Sequence, residues 1–216
     1  MVSVHLGPQW FFGVDASLEA FAAIIAFFIA ASALKVFRMS HDKRYFYFMG
    51  SFALLTLSFL SRAIADILVE GIAITIPPDY LSRIFFYGYV AHIFLALAAY
   101  VILFAVTHKI HDRRIVAFLF LTLVPGLLLS ASYFLSFYVI SALFLAFISS
   151  VYFQNACNVK KLTPWLVFSG FMILTISQLF FLLDAVTKTQ GYVLAHMTQG
   201  LGYLVLLAAL LRIIFK

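Results

Sequence analysis

The 216-residue chain is 65% hydrophobic and only 10% charged, with a net charge of +6 and a mean hydropathy of +1.11. A water-soluble domain is roughly half apolar and a quarter charged, so the composition excludes a soluble enzyme, a disordered chain, a disulfide-stapled secreted scaffold and a nucleic-acid-binding module. What remains is an all-α integral membrane protein. At roughly 20 apolar residues per spanning helix, the length suits a compact seven-helix bundle with short connections, a single membrane domain over residues 1–216.

In chain order, the first 13 residues lack the basic region of a signal peptide, and Trp10, Phe11 and Phe12 suit a membrane interface. Polar punctuation then cuts out spans at 14–37, 45–69, 84–107, 115–131, 133–156, 162–184 and 191–215. The fourth is the shortest. Residues 115–158 carry no charge, so they must hold two helices joined by a tight hairpin, which the sequence places at Ser130-Ala131-Ser132. A break at Pro125-Gly126 would leave a fourth helix too short to cross. The single cysteine, Cys157, allows no internal disulfide.

Basic residues favour cytoplasmic connections. Lys35, Arg38, Lys43 and Arg44 fall between helices 1 and 2, Lys109, Arg113 and Arg114 between 3 and 4, Lys160 and Lys161 between 5 and 6, and Arg212 and Lys216 at the C-terminal end. Arg62, Arg83 and Lys188 fall on the other face, with Asp15, Glu19, Asp66, Glu70, Asp79 and Asp184. Every alternate connection agrees, which predicts an outside N-terminus and a cytoplasmic C-terminus in the cytoplasmic membrane. Helix 1 would serve as an uncleaved insertion signal.

Self-similarity adds a second level of organisation. Leu55-Thr56-Leu57-Ser58 and Asp66 follow Gly50, just as Leu174-Thr175-Ile176-Ser177 and Asp184 follow Gly170. Tyr89, His92 and Tyr100 are echoed by Tyr192, His196 and Tyr203. These matches predict a 3+1+3 parallel internal repeat: residues 14–107 against 133–215, with 115–131 as the linker helix, related by an axis along the membrane normal. On this reading Asp66 corresponds to Asp184 and His92 to His196.

Ionisable groups within spans are costly and line cavities or pair with each other. Here they cluster in the outer half. Tyr192, His196, Gln199 and Tyr203 share one face of helix 7 at helical spacing, and Gly88, His92, Ala96 and Ala99 share one face of helix 3. Arg62, Asp66 and Glu70 stack at i, i+4 and i+8, so Arg62 and Asp66 can pair along helix 2. Helix 6 offers Ser177, Gln178 and Asp184. The bland alternatives are solvated helix ends for Asp66, Glu70, Asp79 and Asp184, a structural Arg62–Asp66 pair, an interfacial Tyr192, and hydrogen-bonded structural imidazoles.

No complete enzyme signature is present, and the sequence nominates no reaction. No lysine lies in the interior of any span and Gln199 stands in mid-helix 7, so a covalently bound retinal is not expected. The favoured function is a transporter or ligand sensor, holding a small solute or ion in an outward-facing polar pocket between two pseudo-symmetric halves. Its expected binding residues are His92, His196, Asp66, Arg62, Gln199, Tyr203, Asp184 and Gln178. One alternative is a metal or haem site using His92 and His196 with Asp66 and Asp184 as carboxylate partners, in a redox protein or metal-assisted hydrolase. The other is a non-catalytic scaffold or subunit. Expected partners are the lipid bilayer, the unidentified ligand, and a second copy or larger membrane complex, with no nucleic acid.

Overall fold

A computed structural model describes residues 11, 13–72, 77–110, 112–130, 132–187 and 191–215. Trp10, Phe12, Ala131 and Lys188 lie outside the described residues, as do the side chains of Glu70, Asp79 and Arg113. The described chain forms seven helices: α1 (Val14–Ser40), α2 (Lys43–Ile72), α3 (Pro78–Thr107), α4 (Arg113–Leu128), α5 (Tyr133–Val159), α6 (Leu162–Thr187) and α7 (Gly191–Ile214). Six of them are long and apolar enough to cross a membrane. The exception is α4, whose 16 residues rise about 24 Å, short of a hydrocarbon core of about 30 Å. Pro125 sits inside α4 without ending it; the Leu129 N–H donates to the Pro125 carbonyl at 2.9 Å. Ser132 then caps α5 by accepting from the Leu135 N–H at 3.4 Å, so the charge-free stretch does fold as two helices.

The distribution of side chains is that of a lipid-embedded protein. Phe21, Ile24 and Phe28 on α1, Ile64 and Ile67 on α2, Phe147 on α5 and Leu194 and Leu201 on α7 are all exposed. Asp15, Glu19, Arg62, Asp66, His92, Asp184 and His196 are all buried. In water this arrangement would expose apolar surface and desolvate charge at once; in a bilayer the exposed apolar groups meet acyl chains.

Neighbouring helices form a closed ring in the order α1, α2, α3, α5, α6, α7, with α7 returning to α1 and α4 packed outside against α3 and α5. Small residues bring the helices close. Ala22, Ala26, Ala30 and Ala33 line the buried side of α1, and Ala96 and Ala99 that of α3. At Gly88 a Cβ would lie 2.3 Å from the Ala65 Cβ and 3.3 Å from the Ser61 carbonyl oxygen. At Gly191 it would lie 3.1 Å from both the Asp184 Cβ and the Phe180 carbonyl oxygen. Only glycine permits these two crossings, of α3 on α2 and of α7 on α6, without movement. Gly50 and Gly170, matched in the sequence, share no such role: nothing approaches Gly50, whereas Gly170 packs on Leu206 and the Gly202 backbone.

Similar local features recur at one constant spacing in α1–α2 and in α5–α6. Helices α1 and α5 both have 27 residues. Each ends in a left-handed residue, His41 (φ 56°) or Lys160 (φ 52°), whose N–H returns to the carbonyl of Phe37 or Ala156. The next helix begins two residues later in both cases. Phe52 and Phe171 are fully buried at matching positions. There they accept hydrogen bonds on their carbonyls from Thr56 and Thr175, both at 2.9 Å.

Candidate functional site: a buried ion-pair network at the acidic end of the bundle

Helix directions gather the basic residues of the connections at one end of the bundle and Asp15, Glu19, Asp66 and Asp184 at the other. At this acidic end Arg62 projects from α2 into the interior, 2% exposed. Its Nη1 lies 3.1 Å from Glu19 Oε1 on α1, and Nη2 donates to the Tyr192 hydroxyl on α7 at 3.0 Å. The guanidinium also lies over the Tyr89 ring at 5.0 Å and the Phe181 ring at 5.8 Å, within reach of cation–π attraction. The expected Arg62–Asp66 pair is present but long, 3.9 Å from Nε to Oδ2. Glu19 is therefore the principal counter-ion.

His196 joins the same network. Its Nδ1 is 3.5 Å from Glu19 Oε1 and its Nε2 is 3.5 Å from Arg62 Nη2. A guanidinium only donates, so Nε2 must accept and Nδ1 must carry the proton toward Glu19: the contacts select one neutral tautomer. Phe11, Phe181 and Tyr192 wall the imidazole. The Tyr192 hydroxyl, having accepted from Arg62, donates to Asp15 Oδ2 at 3.3 Å. Asp15 Oδ1 in turn accepts the N–H groups of Gly13 and Ala16 at 3.1 and 2.9 Å. The network thus runs from the start of α1 through α7 and α2 and back to α1.

His92 has separate partners. The Ser58 hydroxyl donates to the His92 carbonyl at 2.8 Å, while His92 Nδ1 lies 2.8 Å from Ser58 Oγ and 3.2 Å from the Ser58 carbonyl oxygen. Both distances suit an Nδ1–H donor. Phe59, Tyr89 and Phe137 enclose the ring. This is a hydrogen-bonded imidazole tying α3 to α2, the structural role that the sequence left as the bland reading.

Gly88-Tyr89 through Tyr100 and Gly191-Tyr192 through Tyr203 match without a gap, and on that register His92 aligns with Ala195 and His196 with Ile93. One residue is about 100° of helix rotation, which turns one imidazole to the neighbouring helix and the other to the bundle centre. By the Thr-x-Ser register, Asp66 and Asp184 are likewise one position apart.

Tyr203 is fully buried between Phe52 and Phe59, with its hydroxyl in reach of the Tyr100 hydroxyl. Gln178 and Gln199 are buried, and their carboxamide oxygens have no hydrogen-bond partner among the described residues. Asp184 is 5% exposed and Asp66 4%, so neither is a solvated helix end, and Tyr192 at 5% is not an interfacial residue. Glu19 and Asp15 carry the network yet are not singled out by the sequence pattern. Their i, i+4 spacing at the head of the alanine-rich face of α1 was the available signal.

The described residues that carry this network are packed and nearly inaccessible. A cavity of about 620 Å³ lies at the basic end among α2, α3, α5, α6 and α7. Among the described residues no three of His, Cys, Asp and Glu are placed to hold a metal ion. A guanidinium 3.5 Å from His196 would further repel a cation at that nitrogen. Compared with protein-family models, curated proteins and solved structures, the chain matches none of them.

Proposed function

We propose that the chain transports a small solute or ion by alternating access between two pseudo-symmetric halves, α1–α3 and α5–α7, and that the structure is its state closed at the acidic end. The observation that carries this reading is the Arg62 network. It bridges the halves, with Glu19 and Arg62 from one and Tyr192 and His196 from the other. Buried charge of this kind is expensive in a membrane protein and marks an ion or substrate path.

Helix lengths, left-handed caps, Thr56/Thr175 bonds and glycine crossings at matching positions support the repeat. So does Arg62 lying against Phe181, its own counterpart by the Thr-x-Ser register, because two-fold mates touch only near the axis. Four buried acids against one buried arginine, among the described residues, favour a cargo or coupling ion that brings positive charge. The basic connections put the acidic end outside the cytoplasmic membrane. The cavity at the basic end is then the inner mouth.

Accessibility tests this without knowing the substrate. In a Cys157→Ser background, Gln199→Cys (6% exposed here) should react with a membrane-impermeant thiol reagent added outside, because the closed end opens in the cycle. Tyr80→Cys, exposed in this state, should react quickly, and Lys160→Cys not at all. A Gln199→Cys that stays unmodified while Tyr80→Cys reacts would refute transport. Reaction at Lys160→Cys instead of Tyr80→Cys would reverse the orientation.

A further inference from the structure

The cavity at the basic end has a chemistry of its own. Its walls include the N-terminal residues of two helices, Arg44 and Tyr45 on α2 and Thr163 and Pro164 on α6, together with Lys109 just beyond α3. The Asp42 carboxylate is engaged locally: it accepts the Arg44 N–H at 2.9 Å and lies 3.9 Å from the Arg44 side chain. Lys109 is left as the cation of the wall. Val151, Gln154, Asn155 and Asn158 line the cavity from one face of α5, at i, i+3, i+4 and i+7. Phe48, Val167, Leu206 and Leu210 supply apolar wall from α2, α6 and α7.

Basic residues at this end satisfy the positive-inside pattern by themselves, but that pattern does not call for carboxamides. Nor does the fold. The positions of α1 that match Gln154, Asn155 and Asn158 are Lys35, Val36 and Met39, so the same helix is built in the other half without them. Three carboxamides and one lysine present donors, beside an apolar wall of Phe48, Val167, Leu206 and Leu210. A volume of about 620 Å³ is within the range of small-molecule sites.

We propose that this cavity binds an amphiphilic anion, a carboxylate or phosphate head held by Lys109, Asn155 and Asn158 with an apolar body against Phe48, Val167 and Leu206. The head can come from an anionic lipid of the facing leaflet or from a soluble organic acid. The site goes beyond the transport reading and does not depend on it, since binding here needs no opening of the acidic end.

The test is native mass spectrometry of the full chain released from neutral detergent, titrated separately with decanoate, with dihexanoylphosphatidylglycerol and with decyltrimethylammonium as the cationic control. At least one of the two anions should give a single saturable adduct that the cation does not. Lys109→Gln and Asn155→Leu should each weaken it about ten-fold or more, the loss of a charge-assisted or buried hydrogen bond. Lys161→Gln removes the same charge at the same end outside the cavity and should leave binding unchanged. Which anion binds identifies the source of the head. If Lys109→Gln does not yield folded protein, Asn158→Leu takes its place. Binding of neither anion above the cation, or equal weakening by Lys161→Gln, overturns the proposal whatever the labelling of Gln199→Cys shows.

Discussion

At the scale of single residues, burial of Arg62 makes the bundle intolerant of losing one charge. Arg62→Leu leaves the buried Glu19 carboxylate without its guanidinium, and should cost about 3–5 kcal/mol, the usual penalty for orphaning a buried partner. Arg62→Leu combined with Glu19→Leu should recover part of that loss. Thermal unfolding in detergent compares the three proteins, and equal melting temperatures for Arg62→Leu and wild type would show that the pair is not formed. Ser58→Ala should cost about 1 kcal/mol, because it strips His92 of an interhelical partner. Ser177→Ala should cost less, since that hydroxyl only returns to the Leu174 carbonyl of its own helix. The site was legible where residues of one helix share a face: the helix 7 series of Tyr192, His196, Gln199 and Tyr203 is buried as a unit. It was illegible where the partner lies on another helix, because no pattern within α1 says that Glu19 meets α2 and α7. His92 could not be told from His196 by composition or depth. The difference lies in one residue of register.

Helix existence was readable because most of the charge lies near helix ends and in the connections, and the bilayer forces every backbone group of a span into a helix; α3 nevertheless begins at Pro78 rather than at 84. The tight hairpin between α4 and α5 followed from the absence of charge over 115–158. Helix contacts were less readable, since glycine marks both close crossings and open positions. The structure separates the two. Gly88→Ala places a Cβ 2.3 Å from that of Ala65 and must push α3 away from α2, which should cost about 1–3 kcal/mol. Gly126→Ala and Gly200→Ala meet nothing within 4 Å and should be neutral or slightly stabilising in mid-helix. Melting temperatures of the three variants decide this, and a destabilised Gly200→Ala or an unchanged Gly88→Ala would contradict the described crossings.

At the scale of the molecule, the proposed repeat would place different chemistry at matching positions: Glu19 and Arg62 form an ion pair, and Tyr138 and Phe181 stack face to face at 5.0 Å. The proposed gate would then lie where the Arg62 guanidinium meets the Phe181 ring, 5.8 Å away. Distances across the two ends test that claim most directly. Spin labels at Ser17 and Val186 report the acidic end, and labels at Arg38 and Lys161 the basic end; all four side chains are exposed. Pulsed dipolar spectroscopy should find two distances at each end, with the short one dominant at the acidic end. Arg62→Leu should raise the long-distance population at the acidic end and lower it at the basic end. A single distance at each end, unmoved by Arg62→Leu, would mean that the network only fixes helix packing and that the bundle does not alternate.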